Sequence, residues 1–353
     1  MVKGCVKAFD DFCLPLRSFF NMHIPQEEIF NQFEQLHVAV IGDVMIDKYY
    51  WGRVDRISPE APVPIVDIYR KENRLGGAAN VALNCAALGA KVSLLSVTGK
   101  DADGELLCDM LEKNQMSTRF IRCSPQRITT SKTRILGRNQ QILRLDSELS
   151  DDLPLQDEHP FIDLTLRFLQ TEKPDILIFQ DYNKGVLKEN VINKVLTHAQ
   201  KLGILTAVDP KRKNFFTYQG VDIFKPNLQE VREGLKIPLG TISIPALQEV
   251  HSLLHHSLQH RISFITLSEK GVYYQVDDQA ALLPSHLRNI ADVSGAGDTV
   301  IAVAAMVYAL TRNVEVMAAW SNIAGGLVCE ELGVMPIDKN KLFSEIKRIL
   351  PSK

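Results

Sequence analysis

The chain has 353 residues, 45% hydrophobic and 23% charged, a globular balance that allows one large α/β domain with an insertion or two domains. A net charge of -2 argues against nucleic acid or an anionic membrane as the main partner, and no apolar run approaches the roughly 18 residues a membrane span needs. Cys5, Cys13, Cys85, Cys108, Cys123 and Cys329 are scattered without C-x-x-C spacing, which points to a reducing cytoplasm with neither disulfides nor zinc.

In chain order, residues 1–24 read as a poorly ordered tail, because Asp10, Asp11 and Arg17 interrupt any signal-peptide core; Met22 is an alternative start. Residues 25–35 predict an amphipathic helix, so 1–35 forms an extension and leading helix before a domain spanning 36–350. Residues 37–41 predict a buried parallel strand, and its carboxyl end sets Asp43 where such sheets hold a ligand. The run 49–70 combines Tyr49, Trp51 and several Val and Ile with three prolines. Proline belongs at sheet edges, so the insertion at about 48–72 predicts a small β-lid outside the main sheet. Gly76-Gly77-Ala78-Ala79-Asn80 opens an Ala-rich helix closed by Gly89. Its small residues permit close approach, and Asn80 offers a sugar both donor and acceptor. The alternative for this turn is tight packing against the sheet. Cys85 and Cys329 fall in apolar helical patterns as core thiols.

A strand at 91–97, a helix at 103–113 and a strand at 118–123 lead to a predicted hairpin at about 127–146. It concentrates Arg127, Lys132, Arg134, Arg138 and Arg144, a one-sign bias that suits a phosphate contact, although charged strands are usually solvated. From residue 175 strands and helices alternate, which predicts a mostly parallel sheet with helices on both faces. Strand ends at Asp181, Asp209-Pro210-Lys211 and Lys225-Pro226-Asn227 carry polar residues followed by turn formers, as a shared crevice requires. The sequence has neither a G-x-G-x-x-G after the first strand nor a G-x-x-x-x-G-K-[ST], which disfavours a dinucleotide-binding dehydrogenase and a P-loop enzyme.

The turn Gly295-Ala296-Gly297-Asp298 opens the strongly apolar helix at 300–310. Free N–H groups at a helix start favour an anion. A carboxylate there makes sense if Asp298 touches a hydroxyl that attacks a phosphoryl group held by the turn. The plainer alternative is a Gly-rich loop with an ordinary first-turn carboxylate. At a helix start Asp298 is expected to have a low pKa.

Gly295-Ala296-Gly297-Asp298-Thr299, with Asp292 six residues before Asp298, resembles the catalytic signature of the ribokinase (PfkB-type) carbohydrate kinases. Gly42-Asp43-Val44-Met45-Ile46-Asp47 and Gly76-Gly77-Ala78-Ala79-Asn80 are similar to the sugar-binding signature of that family. Three tracts resemble its heptose 7-phosphate kinases, which feed ADP-heptose and lipopolysaccharide synthesis: Arg56-Ile57-Ser58-Pro59-Glu60-Ala61-Pro62-Val63-Pro64, Arg138-Asn139-Gln140-Gln141 and Asp181-Tyr182-Asn183-Lys184-Gly185.

The resemblance implies a ribokinase-like three-layer α/β/α fold and ATP-dependent phosphorylation of the anomeric O1 of D-glycero-D-manno-heptose 7-phosphate. Asp298 is implied as base, with the N–H groups of Gly295, Ala296 and Gly297 stabilising the transferred group. Asp43, Asp47, Gly76, Gly77 and Asn80, together with Arg138, Asp181 and Lys184, are implied at the sugar phosphate. Lys211, Asn227, Glu230, Ser268, Gly271 and Asn322 are implied at the nucleotide. Asn227 and Glu230 also read simply as a helix capping box. Mg2+ is implied near Glu230 through water. Asp292, Ser294 and Gly333 match positions around a monovalent cation site, K+, in some relatives. A homodimer through the lid is expected, and a separate protein for the nucleotidyltransferase step to which such kinases are often fused. Alternatives are a kinase for fructose 1-phosphate or tagatose 6-phosphate, or a catalytically silent binding protein on the same fold.

Overall fold

The computed structural model describes residues 25–137, 140–238, 240–286 and 288–350. The expectations for residues 1–24 and for Arg138 lie outside the described residues. Helix α1 (Gln26–Gln32) and a 3-10 turn lead into β1 (His37–Gly42), then the long β2 (Val44–Ile57) and β3 (Pro64–Gly77). Next come α2 (Ala78–Ala87), β4 (Lys91–Gly99), α3 (Ala102–Lys113), β5 (Ile121–Ser124), β6 (Thr130–Gly137) and β7 (Gln140–Ser147). The alternating part runs α4 (Leu155–Glu172), β8 (Ile176–Gln180), α5 (Glu189–Lys201), β9 (Leu205–Asp209), β10 (Ile223–Phe224), α6 (Leu228–Leu235), α7 (Ile244–Leu258) and β11 (Ile262–Thr266). It closes with β12 (Val272–Val276), β13 (Gln279–Leu283), α8 (Ala296–Thr311), α9 (Val314–Val328) and α10 (Lys339–Ile349).

Among the described residues these strands form a nine-stranded sheet in the order β13-β12-β11-β10-β9-β8-β1-β4-β5. It is parallel from β5 to β11 and antiparallel at β12 and β13. The parallel part follows from sequence, since both faces of each strand must be apolar. Along β1, Val38 and Val40 enter the core layer under α1, α2, α8, α9 and α10. The alternate residues Ala39 and Ile41 enter the layer under α4, α5 and α7. Strand β8 divides the same way, Ile176 and Ile178 against Leu177 and Phe179. Helix α8 is buried all round from Val300 to Tyr308, as an apolar helix at the centre of a layer should be.

The lid and the basic hairpin, expected as separate features, form one four-stranded sheet in the order β3-β2-β6-β7. Strands β2 and β6 pair in parallel, so the hairpin extends the lid edge to edge. Pro59 and Pro62 fall in the connection between β2 and β3, and Pro64 opens the edge strand β3, where a missing N–H costs no ladder bond. The excess of cations expected on the hairpin is not what the fold presents. Lys132 pairs with Asp146 and Glu148, Arg134 with Asp47, and Arg144 with Asp146. Arg127 is buried and donates to the carbonyls of Asp151 and Lys184. Among the described hairpin cations the bias is offset, because the compensating carboxylates come from across the sheet and from the segment after β7.

Cys85 is buried, as expected, whereas Cys329 is half-buried. Among the described residues no helix is long and apolar enough to cross a membrane.

Candidate active site

Because the central strands are parallel, their carboxyl ends share one edge of the sheet. Gly42 is in register with Gln180, and Gln180 with Asp209. Lys225 follows β10, its N–H bonded to the Val208 carbonyl. Gln180, Asp209 and Lys225 therefore stand side by side where the strands end. Lys225 Nζ lies 3.1 Å from Asp209 Oδ2, with both side chains buried.

The amino ends of α2 and α8 meet at this edge. Gly77 and Gly295 are their N-caps, and neither helix receives a side-chain cap. Gly295 has φ of 79°, a left-handed conformation that favours glycine, and a Cβ there would approach Asn80 Nδ2 to 3.0 Å. Asp298, in the first turn of α8, is 2% exposed. Its Oδ2 accepts from Asn80 Nδ2 at 2.8 Å; its Oδ1 accepts from Gln180 Nε2 at 3.0 Å and from the Tyr182 hydroxyl at 2.8 Å.

The expectation of a low Asp298 pKa is corrected here. Burial pushes the carboxyl up to about 7, against the hydrogen bonds from Asn80 and Tyr182, and the charges of Asp209 and Asp47 push the same way. Loss of water outweighs the helix N-terminus, whose effect is modest and local.

The other residues expected at the sugar divide into two sets. Asp47 is buried and paired with Arg134, and a Cβ on Gly76 would come within 2.2 Å of its Oδ2, so only glycine allows that approach. Asn80 joins this set through Asp298. Asp43 is turned elsewhere: its carboxylate accepts from the backbone N–H groups of Tyr182 at 2.9 Å, Lys184 at 3.0 Å and Val186 at 3.0 Å. Asp181 is also engaged inside the protein, by Asn214 Nδ2 at 2.9 Å, the Tyr218 hydroxyl at 2.8 Å and the Asn183 N–H at 2.8 Å. Lys184 pairs with Glu148 at 2.7 Å. These three side chains shape the 181–186 loop.

The residues expected at the nucleotide continue along the same edge. Asn227 and Glu230 form a full capping box at the start of α6, with Asn227 Oδ1 accepting from the Glu230 N–H at 2.9 Å and Glu230 Oε2 from the Asn227 N–H at 2.8 Å. Glu230 also pairs with Lys211; burial and the Asp209 charge raise its carboxyl, and Lys211 opposes them. Asn227 bridges to Thr266 at the end of β11. Ser268 and Gly271 form the turn into β12, beside the end of β13. Asn322 Nδ2 donates to the Pro284 carbonyl at 2.8 Å, which ties α9 to that corner. Asp292 organises its own loop, accepting from the Ser294 N–H at 2.9 Å and from the Gly333 N–H at 3.0 Å.

Of the four residues at the centre, Asp209 and Lys225 were expected from sequence as polar strand ends at a shared crevice, without a role of their own, whereas Gln180 and the Tyr182 hydroxyl were not singled out. The available signal for Gln180 was position, since it ends parallel strand β8. Tyr182 lies inside the tract 181–185, and Lys211 Nζ stands 5.4 Å over its ring.

The profile described as "pfkB family carbohydrate kinase" matches residues 35–340. The bifunctional protein HldE of Geotalea uraniireducens is 33% identical over 326 residues, covering 92% of this chain and 66% of its own length. The bifunctional protein HldE of Magnetococcus marinus is 38% identical over 318 residues, covering 88% of this chain and 64% of its own. The chain thus spans just under two thirds of the length of these relatives. Escherichia coli phosphofructokinase-2 in complex with potassium superposes with a TM-score of 0.73 at 16% identity, covering 89% of this chain and 100% of the other. Arabidopsis thaliana ribokinase complexed with ribose and ATP gives 0.67 at 17% identity, covering 87% and 98%. The two structures share the ribokinase-like fold with this chain, and the profile match over most of its length shows that the chain belongs to the pfkB family of carbohydrate kinases.

Proposed function

We propose that this chain transfers the γ-phosphoryl group of ATP to the anomeric O1 of D-glycero-D-manno-heptose 7-phosphate, giving the 1,7-bisphosphate for ADP-heptose synthesis. The observation that carries this reading is Asp298, a buried carboxylate in the first turn of α8 that accepts from Asn80, Gln180 and the Tyr182 hydroxyl. The new bond joins the sugar oxygen to the γ-phosphorus, the bond to the β,γ-bridging oxygen breaks, and the hydroxyl proton passes to Asp298. A carboxyl near 7 matches the pH at which a general base works best. A Cβ at Gly297 would lie 3.6 Å from Asp209 Oδ2 and 3.9 Å from Lys225 Nζ, so a group sitting there meets both members of the buried pair.

Magnesium would supply charge neutralisation on the phosphates. Among the described residues no three His, Cys, Asp or Glu side chains gather to hold a metal, which fits an ion carried chiefly by phosphate and water, with Glu230 assigned to it through water. A potassium ion would belong at the Asp292, Ser294 and Gly333 loop. Arg138, Asp47 and Lys184 remain our candidates for the sugar-phosphate end.

We also assign a homodimer through the lid. Ile57, Val63, Ile68 and Tyr69 on the β2–β3 hairpin are exposed, as are Ile142, Leu143 and Leu145 on β7. A thin sheet that exposes this much apolar surface is normally covered. Sedimentation of the wild type as a fully active monomer at micromolar concentration would remove this assignment. An ATP-dependent step on a sugar phosphate, with a free buried thiol at Cys85, fits the cytoplasm.

The test of function is product analysis with ATP and a panel of heptose 7-phosphate, fructose 1-phosphate and tagatose 6-phosphate. Phosphorus NMR should show an anomeric phosphate on the heptose. Preference for another acceptor, or no transfer to any of them, would overturn the reading.

A further inference from the structure

Resting on the reading of Asp298 as base, we propose that Tyr182 is a positioning residue: with Gln180 it saturates Oδ1 of Asp298 and leaves Oδ2 as the atom that takes the proton of the substrate hydroxyl. An ionised carboxylate offers about four lone-pair directions. Oδ1 already accepts from Gln180 Nε2 at 3.0 Å and from the Tyr182 hydroxyl at 2.8 Å, which fills it. Oδ2 accepts from Asn80 Nδ2 at 2.8 Å and keeps one direction open.

Each donor is fixed independently. The Asn80 amide is oriented by Asn84, whose Nδ2 donates to Asn80 Oδ1 at 3.2 Å. Gln180 Nε2 lies 3.0 Å from Asp298 Oδ1 and 3.4 Å from Asp209 Oδ2, so turning the amide over would set its oxygen against two carboxylates. Tyr182 is held through its backbone, whose N–H donates to buried Asp43 at 2.9 Å. This gives Asp43 a role the sequence did not suggest: it anchors the segment that aims the phenol. Burial and the Asp298 charge push the phenol well above its ordinary range, so it keeps its proton and acts as a donor throughout.

The charged groups facing this carboxylate are Asp209 and Asp47, which oppose its ionisation, and Lys211 and Lys225, which lie toward the nucleotide side. The Lys211 ammonium over the Tyr182 ring strengthens the phenol as a donor and links the two sides of the site.

The test uses the full chain labelled with [4-13C]aspartate, with the Asp298 signal assigned by its loss in Asp298→Asn. In Tyr182→Phe the titration midpoint should rise by about one pH unit, the worth of one hydrogen bond to a charged acceptor. The acid limb of kcat/KM with ATP and heptose 7-phosphate should move up with it. Gln180→Met removes the other donor to Oδ1 and should shift the midpoint in the same direction, which keeps the test open if Tyr182→Phe fails to fold. An unmoved or lowered midpoint in a folded variant, with Asp298→Asn inactive, overturns the positioning role. Retained turnover in Asp298→Asn instead overturns the reading of Asp298 as base, so the two failures are distinct.

Discussion

Lys225 and Asp209 face each other at 3.1 Å at the ends of neighbouring strands, with both side chains almost wholly withdrawn from water. Removing one partner of a buried pair leaves the other charge uncompensated, at a cost of about 3–5 kcal/mol. Lys225→Ala should therefore lower the melting temperature by roughly 5–10 °C at neutral pH. A melt within a degree of wild type would show that water reaches Asp209 and that the pair is not a structural requirement.

Asp298 should set the acid limb of activity. A base at about 7 must be ionised, so kcat/KM should fall as the pH drops below that value. Asp298→Asn should lower turnover by roughly 10²–10⁴ while ATP binding stays within a few-fold. Stability should move the opposite way. A carboxyl raised in the folded state contributes stability that is complete below its unfolded pKa of 3.8 and lost as pH rises through about 7. Asp298→Asn should thus be more stable than wild type at pH 8, with the advantage gone near pH 4. Urea melts at the two pH values decide this, and a variant less stable than wild type at pH 8 would refute it.

Three histidines gather where α7 meets β11. The rings of His251, His255 and His260 are 5.5–5.7 Å apart, and Ser263 Oγ sits between His251 Nδ1 at 2.9 Å and His260 Nε2 at 2.6 Å. Burial, then His251 and His255, push His260 down to about 3. A histidine depressed in the folded state must stay neutral while its unfolded form protonates, so its stabilisation is complete above 6.5 and fades as pH falls toward 3. Between pH 7 and pH 5 the wild type should lose on the order of 2 kcal/mol relative to His260→Gln. A pH-independent difference in urea midpoints between the two proteins would sink this account.

Arg138 carries the prediction about the phosphorylated end of the substrate. The hairpin cations Lys132, Arg134 and Arg144 are matched to carboxylates, so a phosphate contact on this hairpin falls to the turn. Arg138→Ala should reduce kcat/KM for heptose 7-phosphate by roughly 30- to 1,000-fold more than for unphosphorylated heptose, as expected for a desolvated bidentate contact. Equal losses on both substrates would return the choice of sugar to the rival kinases.

The elements with a clean period were legible in the sequence: β1, α2, α8 and the parallel run from β8. Helices α4 and α7 were not read. In α4, Pro160 inside the helix and buried Asp157 and Glu158 break the apolar pattern. At the site, the motif residues Asn80 and Asp298 were legible because chemistry and local backbone coincide there. Gln180 was not, and Asp209 and Lys225 were legible only as polar strand ends, because the contacts all three make come from strand register, which brings together residues far apart in the chain. Asp298 shows the limit on electrostatics: the helix start is visible in sequence, whereas the depth of burial that overrides it depends on the whole fold.

Strand β2 leaves the main sheet one residue after β1 ends, and its base at Val44 pairs with Gly77, the N-cap of α2. Fourteen residues then run to Ile57, with irregularities in the pairing between Trp51 and Gly52 and between Val54 and Arg56, an arm of about 40 Å at the usual rise of a strand. Its fulcrum is the ground occupied by Asp43, Asp47 and Gly76. By simple geometry, a rotation of roughly 6° about that base carries the tip about 4 Å, whereas residues beside Asp298 move by only tenths of an ångström. Asp47 stands on the arm itself, three residues beyond Val44, and Asn80 follows Gly77 by the same number, so both lie at the still end of that swing.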